Sequence, residues 1–425
     1  MKLPQLSPIA LSAGYGLLLL AAALPLFYRY PVPAPAPDFV FDDAVCATRA
    51  PAMAMGFACQ ECPTPSVHGA NVIETRDGGL LATWFGGKRE GATDVALWAA
   101  EYSPGSRSWS VPRRIIGRDE TRAALGRHIK TVGNSVLARD AQGGLWLYYV
   151  SVSVGGWAGS ALNAVYSADE GKSWGAPRRL ITSPFFNIST LNKSAPVLYS
   201  DGSIGLPVYH EFIGKFAELL RLDSTGHVLD KARITHGRHS IQPLLLPLAP
   251  QQALSLMRDT GPHPGHVLLS RSEDGGRHWS ADEALALPNP DSAVAGLRRP
   301  DGSLLLVFND IEAGRNSLAL ALSRDEGRSW RVVQHFEKSP DSEEYAYPYL
   351  IRISHGAMHL LYTWNLAAMN TANEFQPRVT CLPFEPTDNI VLSVACENTG
   401  DPAGTGCEVA VLLGGVLIPA EPPTA

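Results

Sequence analysis

The chain has 425 residues and a net charge of −6, and 45% of its residues are hydrophobic. This length exceeds that of a small domain and favours one large repeat domain with short additions. The mild acidic charge, without a basic block, argues against a nucleic-acid-binding protein. The 39 glycines and 33 prolines separate many short runs of Val, Leu, Tyr and Trp, which is typical of strands joined by tight turns.

Residues 1–29 differ from the rest of the chain. Lys2 precedes an uncharged run from Ile9 to Tyr28, which ends at Arg29. A run of about twenty apolar residues is just long enough to span a bilayer, so we predict an uncleaved membrane anchor. A cleaved signal peptide, with small residues around Ala34 and Ala36, is the alternative. Both predict export, either anchored in the inner membrane and facing the periplasm or secreted.

Residues 30–60 form a Pro-rich linker and a cysteine-containing lead-in. The alternating prolines at residues 31–37 predict an extended, semi-rigid spacer. The chain has six cysteines, which in an exported protein predict disulfides, with a link between the two ends as one arrangement. Cys59 and Cys62 also have the spacing of a redox or zinc half-site, but neither a second pair nor a βαβ context accompanies them.

A repeat with a period of about 50 residues runs through residues 61–383, which we predict to be one domain. Three copies fit the pattern S-x-D-x-G-x-x-W, at Ser167–Trp174, Ser272–Trp279 and Ser323–Trp330. Tyr102–Trp109 is a shortened copy and Leu222–Gly226 a decayed one. Periods of this size are typical of solenoids and propellers.

Each copy has the residues of a hairpin turn. The Asp can accept backbone N–H groups across the turn, the Gly accommodates positive φ, and the Trp offers a large face for packing between sheets. Strands are expected upstream, as at Ala164–Tyr166 and Leu318–Leu322. Each unit therefore predicts one four-stranded blade in which the Asp is structural. A calcium site is disfavoured, because each copy offers too few oxygen ligands.

These motifs are those of the Asp-box repeat. From Pro65 to Trp364 the chain resembles the sialidase superfamily, especially its bacterial predicted-neuraminidase relatives. The resemblance implies an all-β, six-bladed β-propeller, with five box-like turns and a last unit around Tyr345–Trp364. Seven blades would result if the segment after Phe375 formed another. The resemblance also implies a central funnel with three arginines for a substrate carboxylate, a Tyr nucleophile partnered by Glu, and an Asp acid/base.

Two segments match the family's acid and nucleophile positions. Arg89 precedes Asp94 by five residues, as in sialidases, so the resemblance implies that Asp94 is the acid/base, and Arg89 is a substrate-binding candidate. Glu90 is the second acidic candidate. Tyr347 is placed like the nucleophile, and a tyrosine there would avoid repulsion from the substrate's own carboxylate. The alternatives are a solvated polar loop for the first segment and blade packing for Tyr347.

Arg258 and Arg315 match the second and third arginines, since a planar guanidinium pairs with a carboxylate through two bonds. Surface salt bridges are the alternative for both. Gln242 stands where the tyrosine's Glu is expected, and an amide cannot take a proton as a carboxylate can. His68 replaces the first arginine, where it could bind substrate or act as acid/base. Glu211 is the best replacement for the missing Glu.

The resemblance therefore implies an exo-acting, retaining glycoside hydrolase that removes terminal sialic acid or a related acidic sugar. His68 and Gln242 motivate two alternatives: a lyase or hydrolase acting on uronic-type sugars, and a non-catalytic glycan-binding propeller. We predict a glycan partner, a membrane contact through the N-terminal helix, no nucleic acid, no cofactor and no metal.

Residues 384–425 form a tail whose structure the sequence does not define. Its apolar run, Val409–Ile418, is too short to span a bilayer. If the tail does not complete the last blade, a strand near Phe39–Phe41 could close the ring instead.

Overall fold

The computed structural model describes residues 35–40, 55–59, 62–183, 187–339, 343–354, 358–366, 375–382, 410–413 and 416–419. The chain divides into two units, Met1–Ala36 and Pro37–Ala425, and every element named below belongs to the second. The predicted N-terminal anchor lies outside the described residues. Within the described ranges, no helix is both long enough and apolar enough to cross a membrane.

The regular structure is almost entirely β-strand, with one α-helix in the described part, so the prediction of an all-β protein is confirmed. The first two strands are β1 (Phe39–Val40) and β2 (Met55–Phe57). Sheet 1 contains β3 (Ser66–Glu74), β4 (Leu80–Gly87), β5 (Ala96–Ser103), β6 (Ser108–Trp109) and β7 (Arg113–Gly117), and helix α1 (Arg118–Leu125) follows. Sheet 2 contains β8 (Thr131–Arg139), β9 (Leu145–Val152), β10 (Ser160–Ser167) and β11 (Arg178–Arg179).

The remaining sheets follow in chain order, and all strand pairs are antiparallel. Sheet 3 contains β12 (Leu191–Asn192), β13 (Val197–Tyr199), β14 (Ile204–His210), β15 (Phe216–Leu222) and β16 (Val228–Arg233), together with β1. Sheet 4 contains β17 (Ser240–Ala249), β18 (Gln252–Asp259), β19 (His266–Ser272) and β20 (Glu283–Pro288). Sheet 5 contains β21 (Ala295–Arg298), β22 (Leu304–Phe308), β23 (Ser317–Ser323) and β24 (Arg331–Lys338). Sheet 6 contains β25 (Glu343–Arg352), β26 (Met358–Leu366) and β27 (Phe375–Leu382), together with β2.

Apolar layers join each sheet to the next. Leu81 of sheet 1 shares a buried cluster with Leu147 of sheet 2, and Leu244 of sheet 4 shares one with Leu306 of sheet 5. Strands β4 and β9 are buried along their whole length because both faces are covered. Sheets 1 to 5 are thus blades of a β-propeller. The first strands of the sheets contact one another, as β3 contacts β8 and β17 contacts β21, so they lie innermost.

The three full Asp-box copies form the predicted hairpin turns between the third and fourth strands of their sheets. In the first full copy, Asp169 Oδ1 accepts the N–H of Ser173 at 2.8 Å, and Ser167 Oγ accepts the N–H of Gly171 at 2.8 Å. Both bonds recur in the other two full copies. Glu170 and Gly171 both have positive φ, 60° and 80°, which matches the twist of the flanking strands.

The tryptophans of the full copies pack towards the preceding sheet, as predicted. Trp174 lies against the cluster between sheets 1 and 2, and Trp330 against the cluster between sheets 4 and 5. Trp279 is 7% exposed and belongs to the cluster with Phe39 and Leu219 of sheet 3. The repeated turn therefore links adjacent blades as well as adjacent strands.

Short strands from the N-terminal part of the chain complete sheets 3 and 6. β1 pairs with β13 in sheet 3, and β2 pairs with β27 in sheet 6, so β2 rather than the strand at Phe39 joins the last unit. β27 belongs to sheet 6 and does not begin a seventh four-stranded sheet in the described residues. The apolar run of the tail contains a separate hairpin of β28 (Ala410–Leu413) and β29 (Val416–Pro419). Sheets 1 to 5 provide five blades. The predicted count of six blades is reached only if sheet 6 is also a blade.

Cys59 and Cys62 form a disulfide with each other. These two cysteines are therefore not used to link the ends of the chain, and they are not a thiol pair that could hold zinc. The other four cysteines lie outside the residues whose side chains are described.

Trp279→Ala is expected to lower the free energy of unfolding by about 3–5 kcal/mol, because it opens a cavity between sheets 3 and 4. Trp109→Ala is the matched control, since Trp109 in the shortened copy is only half-buried and packs on Tyr102. Urea unfolding measures both. Equal losses in the two variants would contradict a special role for the box tryptophan.

Candidate functional site

The innermost strand of each sheet, or the segment leading into it, contains one residue with a left-handed backbone. The φ values are 62°, 32°, 59°, 54°, 56° and 54° for Gly69, Asn134, Ser189, Gln242, Asp291 and Tyr347. Left-handed backbone is uncommon outside glycine and costs about 1–3 kcal/mol per residue. Such residues persist where the surrounding structure enforces them, and they cluster at functional sites.

Local sequence explains several of these conformations. The pairing register shifts at Gln242 in β17 and at Tyr347 in β25, as it does in β3 and β8. Pro243 and Pro348 come directly after the two shifted residues. Proline lacks the N–H that would continue the ladder, so the strand bulges there. A bulge re-aims its side chain, and these bulges bring residues from different sheets together.

Gln242 connects three side chains of the site. Its Nε2 donates to the hydroxyls of Tyr209 and Tyr347, each at 3.4 Å, and its Oε1 accepts from Nη1 of Arg258 at 3.2 Å. Gln242 is 1% exposed, so its amide depends on partners inside the protein. As an amide, Gln242 orients the Tyr347 hydroxyl but takes no proton from it.

Asp291 contacts both predicted arginines. Its Oδ1 accepts from Nε of Arg258 at 2.6 Å, and its backbone oxygen accepts from Nη2 of Arg315 at 2.8 Å. Partial burial of Asp291 opposes its charge, but the hydrogen bond and charge of Arg258 outweigh this and lower the pKa of its carboxyl. Each guanidinium has five N–H donors, so both arginines keep donors for a ligand.

His68 lies on β3 against the ring of Tyr347, with the ring centroids 4.2 Å apart. It is 8% exposed. Burial, followed by the charges of Arg315 and Arg258, lowers the pKa of His68 to about 3. The imidazole is therefore uncharged at neutral pH. His68 takes the place of the missing arginine in sequence but does not supply its positive charge.

Two carboxyl groups lie near these arginines. Glu211 follows β14, and its backbone N–H donates to Ser189 Oγ at 2.8 Å. Loss of hydration raises the pKa of Glu211, against the opposing charges of Lys215 and Arg258. A raised pKa lies closer to neutral pH and makes the carboxylate a better proton acceptor, so Glu211 is suited to exchange a proton.

Glu90, in the loop between β4 and β5, is the second carboxyl group. Loss of hydration at its carboxyl is the largest cause of its raised pKa, and repulsion from Glu211 adds to it. A hydrogen bond from Trp157 and the charges of the two arginines act in the opposite direction. The residue as a whole is exposed.

Asp94 and Arg89 lie in the same loop as Glu90, and both are exposed. Asp94 Oδ2 accepts the N–H of Lys88 at 3.1 Å, within the loop. The backbone oxygen of Arg89 accepts the N–H of Ala92 at 3.1 Å. The described contacts of both residues are thus local, and their predicted roles in catalysis and substrate binding stay predictions.

Sequence reasoning missed four residues of this region: Tyr209, Asn134, Asp291 and Trp157. Tyr209 is 2% exposed, and its hydroxyl accepts from Nδ2 of Asn134 at 3.2 Å as well as from Gln242. Asp291 follows Pro290, and the proline beside a polar residue that also occurs at Gln242 and Tyr347 was an available signal. The sequence around Trp157 carries no comparable signal.

A cavity of about 510 Å³ opens beside Asp291 and Arg315. Its other walls come from the loops after β18 and β22 and from the segment before β21: His263, Pro264, Pro290, Glu312, Ala313 and Gly314. Ligand pockets commonly measure about 300–1,000 Å³. The region next to Arg315 therefore has room for a small ligand.

Comparisons with known proteins agree with this fold. Residues 78–360 match the family described as the BNR repeat-like domain. A search of curated proteins found no match. Among solved structures, a protein of unknown function from Dyadobacter fermentans is similar with a TM-score of 0.61 and 14% identity, covering 78% of this chain and 99% of that one.

Two of the similar structures are enzymes named for sialic acid chemistry. The NanB sialidase from Streptococcus pneumoniae has a TM-score of 0.61 and 12% identity, covering 85% of this chain and 72% of that one. The intramolecular trans-sialidase from Ruminococcus gnavus, in complex with oseltamivir carboxylate, has a TM-score of 0.57 and 13% identity, covering 76% and 96%. At these identities the likeness concerns the fold.

Tyr209→Phe is expected to lower the free energy of unfolding by about 1–3 kcal/mol, because the amides of Asn134 and Gln242 lose a shared buried acceptor. Tyr148→Phe is the matched control: Tyr148 is 0% exposed, and its hydroxyl has no hydrogen-bond partner among the described residues. Urea unfolding should separate the variants. Similar losses of unfolding free energy in the two variants would show that the hydrogen bonds of the Tyr209 hydroxyl do not stabilise the fold.

Proposed function

The chain belongs to the BNR repeat-like domain family, and on that premise we propose that it is a glycoside hydrolase that removes a terminal acidic sugar, sialic acid or a related one, from glycans. One observation carries the proposal. The hydroxyl of Tyr347 is joined through the buried amide of Gln242 to the guanidinium of Arg258. A candidate nucleophile and a candidate anion-binding group are therefore held in one hydrogen-bonded unit.

Arg258 and Arg315 are the proposed grip on the substrate carboxylate. Both contact Asp291, which fixes their positions before a ligand arrives. A preorganised guanidinium loses little freedom on binding, and its fork geometry suits a carboxylate. Lys215 adds positive charge near Glu211 and Asp291.

Tyr347 is the proposed nucleophile and Glu90 the proposed acid/base. The Tyr347 oxygen bonds to the anomeric carbon while the bond to the leaving oxygen breaks, and Glu90 donates its proton to that oxygen. The phenol proton goes to Glu211. Glu211 and Tyr347 both lie close enough to Tyr209 to raise the pKa of its hydroxyl. Water then cleaves the tyrosyl–sugar bond with Glu90 as base, and Tyr347 regains its proton from Glu211. We prefer Glu90 to Asp94, because loss of hydration raises the pKa of Glu90, and its carboxyl is close enough to the two arginines and Glu211 to be affected by their charges.

We also infer that sheet 6 is a sixth blade, so that the ring is closed. β25 contacts β21 of sheet 5 and β3 of sheet 1. One buried cluster joins Leu305 to Leu360, and another joins Val72 to Leu361. Tyr347 of sheet 6 also has the left-handed conformation found in the other five sheets. These features support the predicted count of six.

We further propose that the propeller is exported and held at a membrane or released by its N-terminal segment. The uncharged run from Ile9 to Tyr28 suits either a span or a signal peptide. The disulfide between Cys59 and Cys62 supports an oxidising compartment.

A second candidate function is the hydrolysis or elimination of a uronic-type sugar. Asp291 already takes one donor of Arg258, and neither His68 nor Gln242 carries charge. The positive charge available to a ligand is thus smaller than three free arginines would give. A panel of fluorogenic sialosides and uronides, assayed side by side, distinguishes the two substrate classes.

Tyr347→Phe is expected to lower kcat/KM on the best substrate of that panel by about 10³-fold or more, since the nucleophile is lost. Glu90→Gln is expected to lower it by about 10²–10⁴-fold. Asp94→Asn is the matched control in the same loop, with an expected loss under about tenfold. Full turnover by Tyr347→Phe would overturn the mechanism, and a larger loss in Asp94→Asn than in Glu90→Gln would restore Asp94 as the acid/base.

A further inference from the structure

Lys193 is a buried lysine that the mechanism above does not use. It follows β12 in sheet 3 and is 7% exposed. Its Nζ donates to the backbone oxygen of Val294 at 3.0 Å and to that of Pro348. One side chain of sheet 3 therefore reaches the innermost segments of both sheet 5 and sheet 6.

The two carbonyl groups that Lys193 contacts adjoin functional residues. Pro348 directly follows Tyr347, and Val294 is three residues after Asp291. Tyr347 and Asp291 both have left-handed backbones, at φ values of 54° and 56°. Conformations of this kind need surrounding contacts to hold them, and the two Lys193 hydrogen bonds are such contacts.

We propose that Lys193 is a positioning residue that holds Tyr347 and Asp291 in place and adds a positive charge near Arg258. The structural part stands on the contacts alone, whereas the effect on turnover rests on the proposed function. Lys193 reaches these segments from sheet 3, and it acts through Tyr347 instead of touching the substrate.

The charge of Lys193 is expected to change near neutral pH. Burial, followed by the charge of Arg258, lowers the pKa of Lys193 to about 7. Titratable groups on the elements next to Lys193 include Arg258 on β18, Asp291 before β21, Tyr347 and Tyr349 on β25, Tyr209 on β14, and Tyr148 and Tyr149 on β9. Of these, Arg258 is the group that contributes to the lowered pKa.

The sign of the stability effect follows from this direction. The lysine pKa is about 7 in the folded protein and 10.5 when unperturbed, so between these values the unfolded chain binds more protons. The free energy of unfolding therefore increases as the pH rises from about 7 towards 10, because the folded protein then no longer has to bury a charged lysine. A variant with methionine at this position lacks that rise, and one with arginine keeps its charge throughout.

The first test is thermal unfolding of the full chain between pH 6 and pH 10, without substrate. The stability of the wild type relative to Lys193→Met is expected to increase with pH above about 7. Lys130→Met is the control, because Lys130 is exposed and its variant should follow the wild-type profile. A difference between wild type and Lys193→Met that is constant over this range would overturn the assignment of a titrating lysine.

The second test is turnover of the best substrate as a function of pH. Lys193→Met is expected to lower kcat by about 10–100-fold at pH 6, since the nucleophile is misplaced, and to raise KM as well, because Asp291 positions both arginines. Lys193→Arg should retain kcat above pH 7, where the wild type loses it. Identical pH profiles of Lys193→Arg and wild type would overturn the role of the charge.

The two tests also separate this inference from the proposed function. If the wild type turns over no acidic glycoside, the proposed function fails, and the unfolding profile still decides whether Lys193 carries a charge that titrates in the folded state. If turnover is present but kcat of Lys193→Met equals that of the wild type, the positioning role fails while the proposed function stands.

Discussion

The left-handed residue at the inner edge of each sheet is the constraint on which the candidate site depends. A regular strand directs alternate side chains to its two faces, where the apolar layers between blades occupy them. A side chain reaches the centre only if the strand departs from that alternation. The bulges at Gln242 and Tyr347 provide the departure, and the hydrogen bond between these two side chains links sheets 4 and 6.

Charge in the site is balanced rather than uniformly positive. Arg258 and Arg315 are fixed by Asp291, while Glu90 and Glu211 have raised pKa values because their carboxyl groups lose hydration. An unpaired buried arginine would be costly, so the aspartate stabilises the two arginines by pairing with them. The same aspartate must leave donors available for a ligand, which limits how strongly an anion can bind. Preorganisation and affinity for an anion therefore oppose each other at Asp291.

The fold was predictable because its repeated turns demand particular residues. In each full Asp-box the serine hydroxyl and the aspartate carboxylate accept specific backbone N–H groups, and the glycine has φ near 80°. Residue types and spacing are therefore fixed, and three copies suffice to identify the blade. The prediction that the tryptophans pack between sheets was confirmed for the same reason. The roles of β1 and β2 were not predictable, since two- or three-residue strands leave no periodic pattern.

The site was predictable only in part, because its repeat is conformational and not chemical. The inner left-handed positions hold Gly, Asn, Ser, Gln, Asp and Tyr, six residue types with no shared side chain. What they share is the backbone, and each side chain is free to serve a different task. Gln242 and Tyr347 were found through a family resemblance, whereas Asn134 and Asp291, which no such resemblance covered, were not. The Asp-box turns thus require the same residue types in each blade. The inner bulges do not, so each can present a different side chain at the centre of the propeller.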